Sequence, residues 1–262
     1  METRIIQKTE SIREIAQLRI DPKFNYQFNY KGQLFENFDM AAAMVSMQWN
    51  PFSNYLQTPT GRIETEEGFP KFNFQVTKTL PGILKNDFNF GKVDLKTFYE
   101  RKFLNGQQTN LVFAFGYAFG NVPITHLYNN SPNSLNKNKL LQRTTIEGDN
   151  DFETMYFNEF FSNKYAFFEI RHALKKFNIS RKFKPYLVFI TRTAIGDIDK
   201  PEQHVGIDYK TLKNGYFESG LQINQLFKGI GISTFYRYGP NQLAELEDNI
   251  AIRISYYVDL GF

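Results

Sequence analysis

The sequence predicts an all-β chain: an antiparallel transmembrane β-barrel of about 12 strands occupying residues 1–262 as one domain, or an incomplete part of a larger barrel. Three observations predict it. Two-residue alternation recurs from end to end, while few windows sustain a helical period. The alternating segments are long enough for the roughly 9 to 11 residues of a tilted membrane strand. Their apolar faces are thick with aromatics, of which the chain has 28 Phe, 15 Tyr and 1 Trp. The strand number follows from 262 residues at roughly 22 residues per strand and connection.

Strands fit first at Ile15 to Ile20, Ala43 to Trp49 and Phe72 to Thr77, with a Pro81-Gly82 turn after the third. Val93, Leu95, Thr97 and Tyr99 then lie opposite Lys92, Asp94, Lys96 and Glu100, with Phe98 as an apolar intruder on the polar face. Asn105-Gly106 is a short-hairpin dipeptide. From Leu111 to Phe119 large residues (Leu111, Phe113, Phe115, Tyr117, Phe119) alternate with small ones (Val112, Ala114, Gly116, Ala118), which is strand geometry.

Gly120 to Asp151 reads as a long polar loop, and Ser162-Asn163-Lys164 as a turn. Strands follow at Tyr165 to Leu174 and Tyr186 to Ala194, then a second long loop from Gly196 to Asn214. After Asn214-Gly215 come Phe217, Ser219, Leu221 and Ile223 opposite Glu218, Gly220, Gln222 and Asn224; Lys228-Gly229 turns into Ile232 to Tyr238. The helical window Leu243 to Asp248 is too short to matter. The last segment sets Ile250, Ile252, Ile254, Tyr256, Val258, Leu260 and Phe262 on one face and Ala251, Arg253, Ser255, Tyr257, Asp259 and Gly261 on the other. Tight turns on some strands and long loops on others suit a barrel with one elaborated end.

Composition removes other classes. With no cysteine there is neither a disulfide scaffold nor a thiolate metal site. The net charge of +4, with both signs evenly mixed, does not make a nucleic-acid surface. At 42% hydrophobic the chain can bury a core. The longest apolar run, Leu111 to Gly120, is ten residues with two glycines, so no membrane helix is expected. Met1 is followed by polar residues rather than a signal peptide, which taken alone points to the cytoplasm.

Alternation by itself fits a soluble sandwich as well as a barrel. Strand length, aromatic density and an ending on Phe262, in phase with the apolar set, favour the barrel. A strand closing on such a residue resembles the assembly signal of bacterial outer-membrane barrels, here Tyr256, Val258, Leu260 and Phe262.

The run Tyr156 to Leu174 (YFNEFFSNKYA and onward), Gly116 to Pro123 (GYAFGNVP), GFPKFNFQVTKTLPG from Gly68, and the closing GYFESGLQINQLFKGIGISTFYRYG…IAIRISYYVDLGF resemble the C-terminal barrel of a family of Bacteroidota outer-membrane proteins. Members of that family pair a carboxypeptidase-regulatory-like sandwich with a barrel similar to the assembly-factor and surface-antigen superfamily. The resemblance covers the chain from about residue 40. It implies an outer-membrane location, the lipid bilayer and the outer-membrane assembly machinery as partners, and no catalytic residues. Relative to the family, the leader, the sandwich and the first barrel strands are missing, so Met1 reads as an internal start or a truncated frame.

The chemistry is sparse. His126, His172 and His204 are far apart and none has metal-ligand spacing with a carboxylate. Glu169, Arg171, Arg192, Glu218, Arg237 and Arg253 fall by phase on the lumen side, either as salt-bridged filling or as a charged constriction. Glu147-Gly148-Asp149-Asn150-Asp151 lacks EF-hand spacing and reads as a solvated acidic loop. Nothing selects a carboxylate pair for glycoside hydrolysis, and no Gly-x-Ser-x-Gly elbow occurs. The expectation is therefore a non-enzymatic protein without cofactor or metal, acting in transport or assembly at the outer membrane. The alternatives are a soluble all-β barrel or sandwich holding an apolar ligand, and a glycan-active enzyme on a β scaffold.

Overall fold

A computed structural model of the chain describes residues 2–11, 26–82, 86–134, 144–148, 150–180, 183–227 and 229–256. Its strands are β1 (Glu2–Ser11), β2 (Gln27–Tyr30), β3 (Gln33–Phe35), β4 (Asn37–Trp49), β5 (Asn54–Thr58), β6 (Gly61–Glu66), β7 (Lys71–Thr79), β8 (Phe90–Lys102) and β9 (Gln108–Gly120). They continue with β10 (Pro132–Ser134), β11 (Thr144–Ile146), β12 (Phe152–Tyr156), β13 (Lys164–Ala173), β14 (Tyr186–Asp197), β15 (His204–Val205), β16 (Tyr216–Phe227), β17 (Ile230–Tyr238) and β18 (Ile250–Tyr256). The chain is all-β, and among the described residues the only helical turns are 3-10 turns at Ile124–His126, Pro201–Gln203 and Leu246–Asn249.

One 11-stranded sheet dominates, in the order β1-β4-β7-β8-β9-β13-β14-β16-β17-β18-β11. Its ladders are antiparallel except the last, where β11 lies parallel to β18 with Thr144 opposite Ile252. Among the described residues no ladder joins β1 to β18 or β11. Smaller sheets pair β10 with β12, β5 with β6, and β15-β2-β3. The expected strands are present with longer ends: the Leu111 to Phe119 strand runs Gln108–Gly120, and the one expected from Tyr186 to Ala194 runs on to Asp197. The strand expected at Ile15 to Ile20, Lys228, and Val258, Leu260 and Phe262 lie outside the described residues.

The ladders fix which connections share an end. Phe90 is opposite Gly120, and Lys164 is opposite both Tyr117 and Asp197, so both long connections leave from one end of the sheet. At the other end β8 turns directly into β9, with Gly106 N–H donating to Phe103 O at 2.9 Å and Gly106 at φ 82°. That left-handed φ is why glycine follows Asn105 there.

Two expectations need correction. As far as its described residues go, the stretch from Gly120 to Asp151 is not a surface loop. It carries Ile124–His126, β10 and β11, and with β12 it covers one face of the sheet, which we call the inner face. All five residues of β12 are buried. The physical reason is composition: Val122, Ile124 and Leu127 lie within the stretch read as polar and Phe152, Met155, Tyr156, Phe160 and Phe161 just beyond it, and burying them outweighs keeping the loop solvated. The stretch from Gly196 to Asn214 likewise contains a 3-10 turn and β15, which pairs with β2.

Alternation sorts the sheet's two faces. On β9, Val112, Ala114 and Ala118 are buried inward, while Phe113, Phe115, Tyr117 and Phe119 are exposed outward. The small inward residues make room for the inner segment: a Cβ on Gly116 would lie 2.6 Å from the Tyr128 ring and 2.4 Å from that of Tyr165. Of three apolar clusters, two hold the segment and the loop end down. The largest gathers Phe28, Phe38, Phe88 and Phe90 with Val122, Ile124 and Leu127. A second packs Phe152, Met155 and Phe160 on Phe167, Leu212 and Tyr216. The third, Val188, Ile190, Phe235 and Ala251, lies within the sheet.

Candidate functional site

The inner face carries its charges in rows, because partners in an antiparallel ladder point to the same side. Glu169 on β13 is opposite Arg192 on β14, Arg192 opposite Glu218 on β16, and Glu218 opposite Arg237 on β17. These four alternating charges sit on consecutive strands. Arg253 on β18 lies opposite Ser233, two inward rows away. Of the six charged residues singled out by phase, Glu169, Arg192, Glu218, Arg237 and Arg253 are buried, and Arg171 is half-buried.

The rest of the arrangement comes from the inner segment, which supplies one glutamate every six residues: Glu147, Glu153 and Glu159. Each meets its own arginine. Arg253 Nε donates to Glu153 Oε2 at 2.6 Å, and its Nη2 donates to Asn133 O and Ser134 Oγ, both at 3.0 Å, and to Glu153 O. Arg237 grips Glu159 in a fork, Nη1 to Oε2 at 3.0 Å and Nη2 to Oε1 at 2.8 Å, the bidentate geometry that makes guanidinium–carboxylate pairs strong. Glu147 accepts from Gln222 and Ser233, both at 2.8 Å, and lies 3.5 Å from Arg171. The solvated acidic loop expected at 147–151 is thus corrected: the Glu147 side chain is 4% exposed and tied to the sheet, and Asp149 lies outside the described residues.

Glu218 holds the segment's backbone. Its carboxylate accepts the N–H of Glu153 at 3.2 Å, the N–H of Thr154 at 2.7 Å and the Thr154 hydroxyl at 2.6 Å. Arg192 donates to Glu169 and, at 3.2 Å, to Glu218, and stands 3.9 Å from Glu153. Local turns aim these groups. Asn158 at φ 58° and Asn150 at φ 59° take the left-handed conformation that asparagine tolerates. The first swings Glu159 under Arg237, and the second lets Asn150 Nδ2 donate to Glu169 at 3.3 Å. Burial pushes the Glu153 carboxyl up to about 7, against the opposing pull of Arg253 and Arg192.

The histidines stand apart from this network. His172 Nδ1 is 2.8 Å from the Thr109 hydroxyl, and His126 tilts over Phe90. His204 Nδ1 is 2.8 Å from Tyr26 OH, which itself accepts from Ile124 N–H. Burial lowers the His204 pKa to about 4. Among the described residues no three His, Asp or Glu side chains are grouped to hold a metal ion.

Chemically, the inner face neutralises buried charge and clamps a segment. The chain belongs to a family of unknown function, DUF5686. Residues 8–185 match that family's C-terminal domain. No curated protein matches the chain. The DUF5686 match takes in Glu147, Glu153, Glu159, Glu169 and Arg171 and stops in the connection between β13 and β14, so Arg192, Glu218, Arg237 and Arg253 lie beyond it. Of the four residues expected as an assembly signal, Tyr256 ends β18 with its ring exposed. Sequence reasoning passed over Glu153, Glu159, Thr154 and Tyr216. The signal available was the crowd of apolar residues around Glu153 and Glu159, out of place in a solvated loop.

Proposed function

We propose that this chain forms the wall of an outer-membrane β-barrel, with the described residues of segment 121–163 seated inside, serving transport or assembly of material at that membrane. The observation that carries the reading is the outward face. Phe113, Phe115, Phe168, Ile170, Phe189, Leu221, Ile232 and Ile254 are each more than a third exposed, and similar residues continue onto β4, β7 and β8. At roughly 60–80 Å² apiece such side chains make a patch above about 1,000 Å², against the roughly 300–600 Å² typical of a soluble monomer.

Lipid explains both faces together. Apolar side chains turn toward hydrocarbon while Arg192, Arg237 and Arg253 are buried on the opposite side. Aromatics collect near strand ends, with Tyr117, Phe119, Phe217 and Tyr238 toward the long connections and Trp49, Phe72 and Tyr256 at the other end, as interfacial girdles require. The reading requires the outer edges of β1 and β18 to be paired in the membrane, because an unpaired edge in hydrocarbon costs several kcal/mol per group. A soluble module for an apolar ligand fits less well, since the inner face is ionic and amide-rich.

The test is refolding from urea. The protein should fold only with detergent micelles or lipid vesicles, migrate differently on SDS gels before and after boiling, and resist protease in vesicles. A monomeric, folded chain in plain buffer would refute the proposal.

A further inference from the structure

The inner segment covers the sheet unevenly. Beside it, over β4, β7 and β8, lies a cavity of about 510 Å³, within the range of small-molecule sites. Two adjacent rows of the ladder line it. Ser46, Gln75 and Asp94 face one another across three strands, and next to them Gln48, Asn73 and Lys96 do the same. Tyr165, whose ring lies 4.6 Å from that of Tyr128, forms an aromatic wall.

The two charges cancel and are already engaged with the inner segment: Asp94 accepts from the Tyr128 hydroxyl at 2.6 Å, and Lys96 donates to Asn150 at 3.2 Å. The side chains of Ser46, Asn73 and Gln75, by contrast, have no hydrogen-bond partner among the described residues. Amide and hydroxyl groups offer donors and acceptors together, and so match a ligand whose own groups do both. A charged ligand would find no net countercharge, and an apolar one would strand these polar groups.

We propose that this cavity binds a neutral polyhydroxylated ligand of disaccharide size, its hydroxyls on Ser46, Asn73 and Gln75 and one apolar face on Tyr165. The proposal deepens the barrel reading and rests on it in one respect, that the cavity then opens to the lumen and makes such a solute the cargo.

The probe is maltose, titrated calorimetrically against the folded full chain, with digalacturonate as a charged ligand of similar size. Saturable maltose binding is expected, with weaker binding of digalacturonate. Asn73→Leu with Gln75→Leu should weaken maltose binding about tenfold or more, the loss of two ordinary hydrogen bonds, while far-UV circular dichroism and the boiling-dependent gel shift stay unchanged. No saturable binding, equal binding by the double variant, or equal affinity for the charged sugar would each overturn it. Should the double variant fail to fold, Ser46→Ala, which removes only the hydroxyl, serves in its place and must weaken maltose binding. If the chain folds only in plain buffer, the barrel reading fails, and the same titration on that form still decides the cavity.

Discussion

Replacing Arg253 by Met removes the guanidinium that ties β18 to the inner segment. Arg253 is fully buried, and its Nε and Nη2 serve Glu153 Oε2, Asn133 O, Ser134 Oγ and Glu153 O. Deleting one member of a buried pair costs about 3–5 kcal/mol, because the other charge stays behind uncompensated. Here Glu153 keeps the Asn133 amide at 2.6 Å and the Gly148 N–H at 2.9 Å, which places the cost near the lower end, about 3 kcal/mol. Urea unfolding in micelles at pH 8, followed by fluorescence of the single tryptophan, Trp49, and by circular dichroism, measures it. Adding Glu153→Gln removes the stranded charge and should recover about 1–2 kcal/mol, so the two changes are less than additive. A cost for Arg253→Met under about 0.5 kcal/mol, the level of an ordinary surface change, or strict additivity in the double variant, would refute the clamp.

Three further outcomes are expected. Ile252→Arg, on the outward face of β18, should cost roughly 2–4 kcal/mol in vesicle folding, whereas Gln48→Arg, in the inner cavity, should cost under about 1 kcal/mol; equal costs would show that the faces are misassigned. Gly116→Val forces a side chain into the Tyr128 and Tyr165 rings and should lower stability by about 1–3 kcal/mol, with protease cutting the inner segment sooner; a neutral result would mean that the close approach does not exist. The third outcome concerns pH. Since burial raises the Glu153 pKa from 4.5 to about 7, its contribution to stability is complete below about pH 4.5 and is lost as pH rises through 7. Glu153→Gln, which imitates the protonated form, should therefore flatten that fall, by up to about 3 kcal/mol, in urea midpoints measured across the interval. An unchanged pH slope would count against a buried, desolvated Glu153.

The strands were legible because period-2 alternation is a local property. Phase alone placed Glu169, Arg192, Glu218, Arg237 and Arg253 on one side, and all five are buried there. Phase does not reveal register, so the row Glu169–Arg192–Glu218–Arg237 appears only once the ladders are known. The inner segment was illegible for a different reason: β10 and β12 are short, pair in parallel across a long connection, and take their stability from tertiary contacts rather than from any sequence period. Ser255 shows a further limit of phase. It points inward as the alternation requires, but Asn224 Oδ1 lies 3.1 Å from its hydroxyl, which already fills the space a Cβ on Gly231 would take, so it is not a tolerant inward position.

The clamp also bears on how the segment finds its place. Glu147, Glu153 and Glu159 are evenly spaced and chemically alike, while Arg171, Arg253 and Arg237 stand on three different strands. A slip of one residue would turn β12 over and move these carboxylates off the guanidiniums, leaving charges unpaired in sites with almost no solvent. Apolar contacts such as Phe152 on Tyr216 tolerate such slips better, since burial depends on area more than on direction. The apolar clusters thus supply the tendency to cover the sheet, and the arginines select the register. It follows that conservative apolar changes at Met155, a Met155→Leu variant for instance, should shift stability by less than about 1.5 kcal/mol without freeing the segment. Arg253→Met should instead raise protease cutting in the segment even under conditions where the sheet, followed by circular dichroism, remains folded. If the two variants expose the segment equally, register is set by packing and the charge rows only fill space.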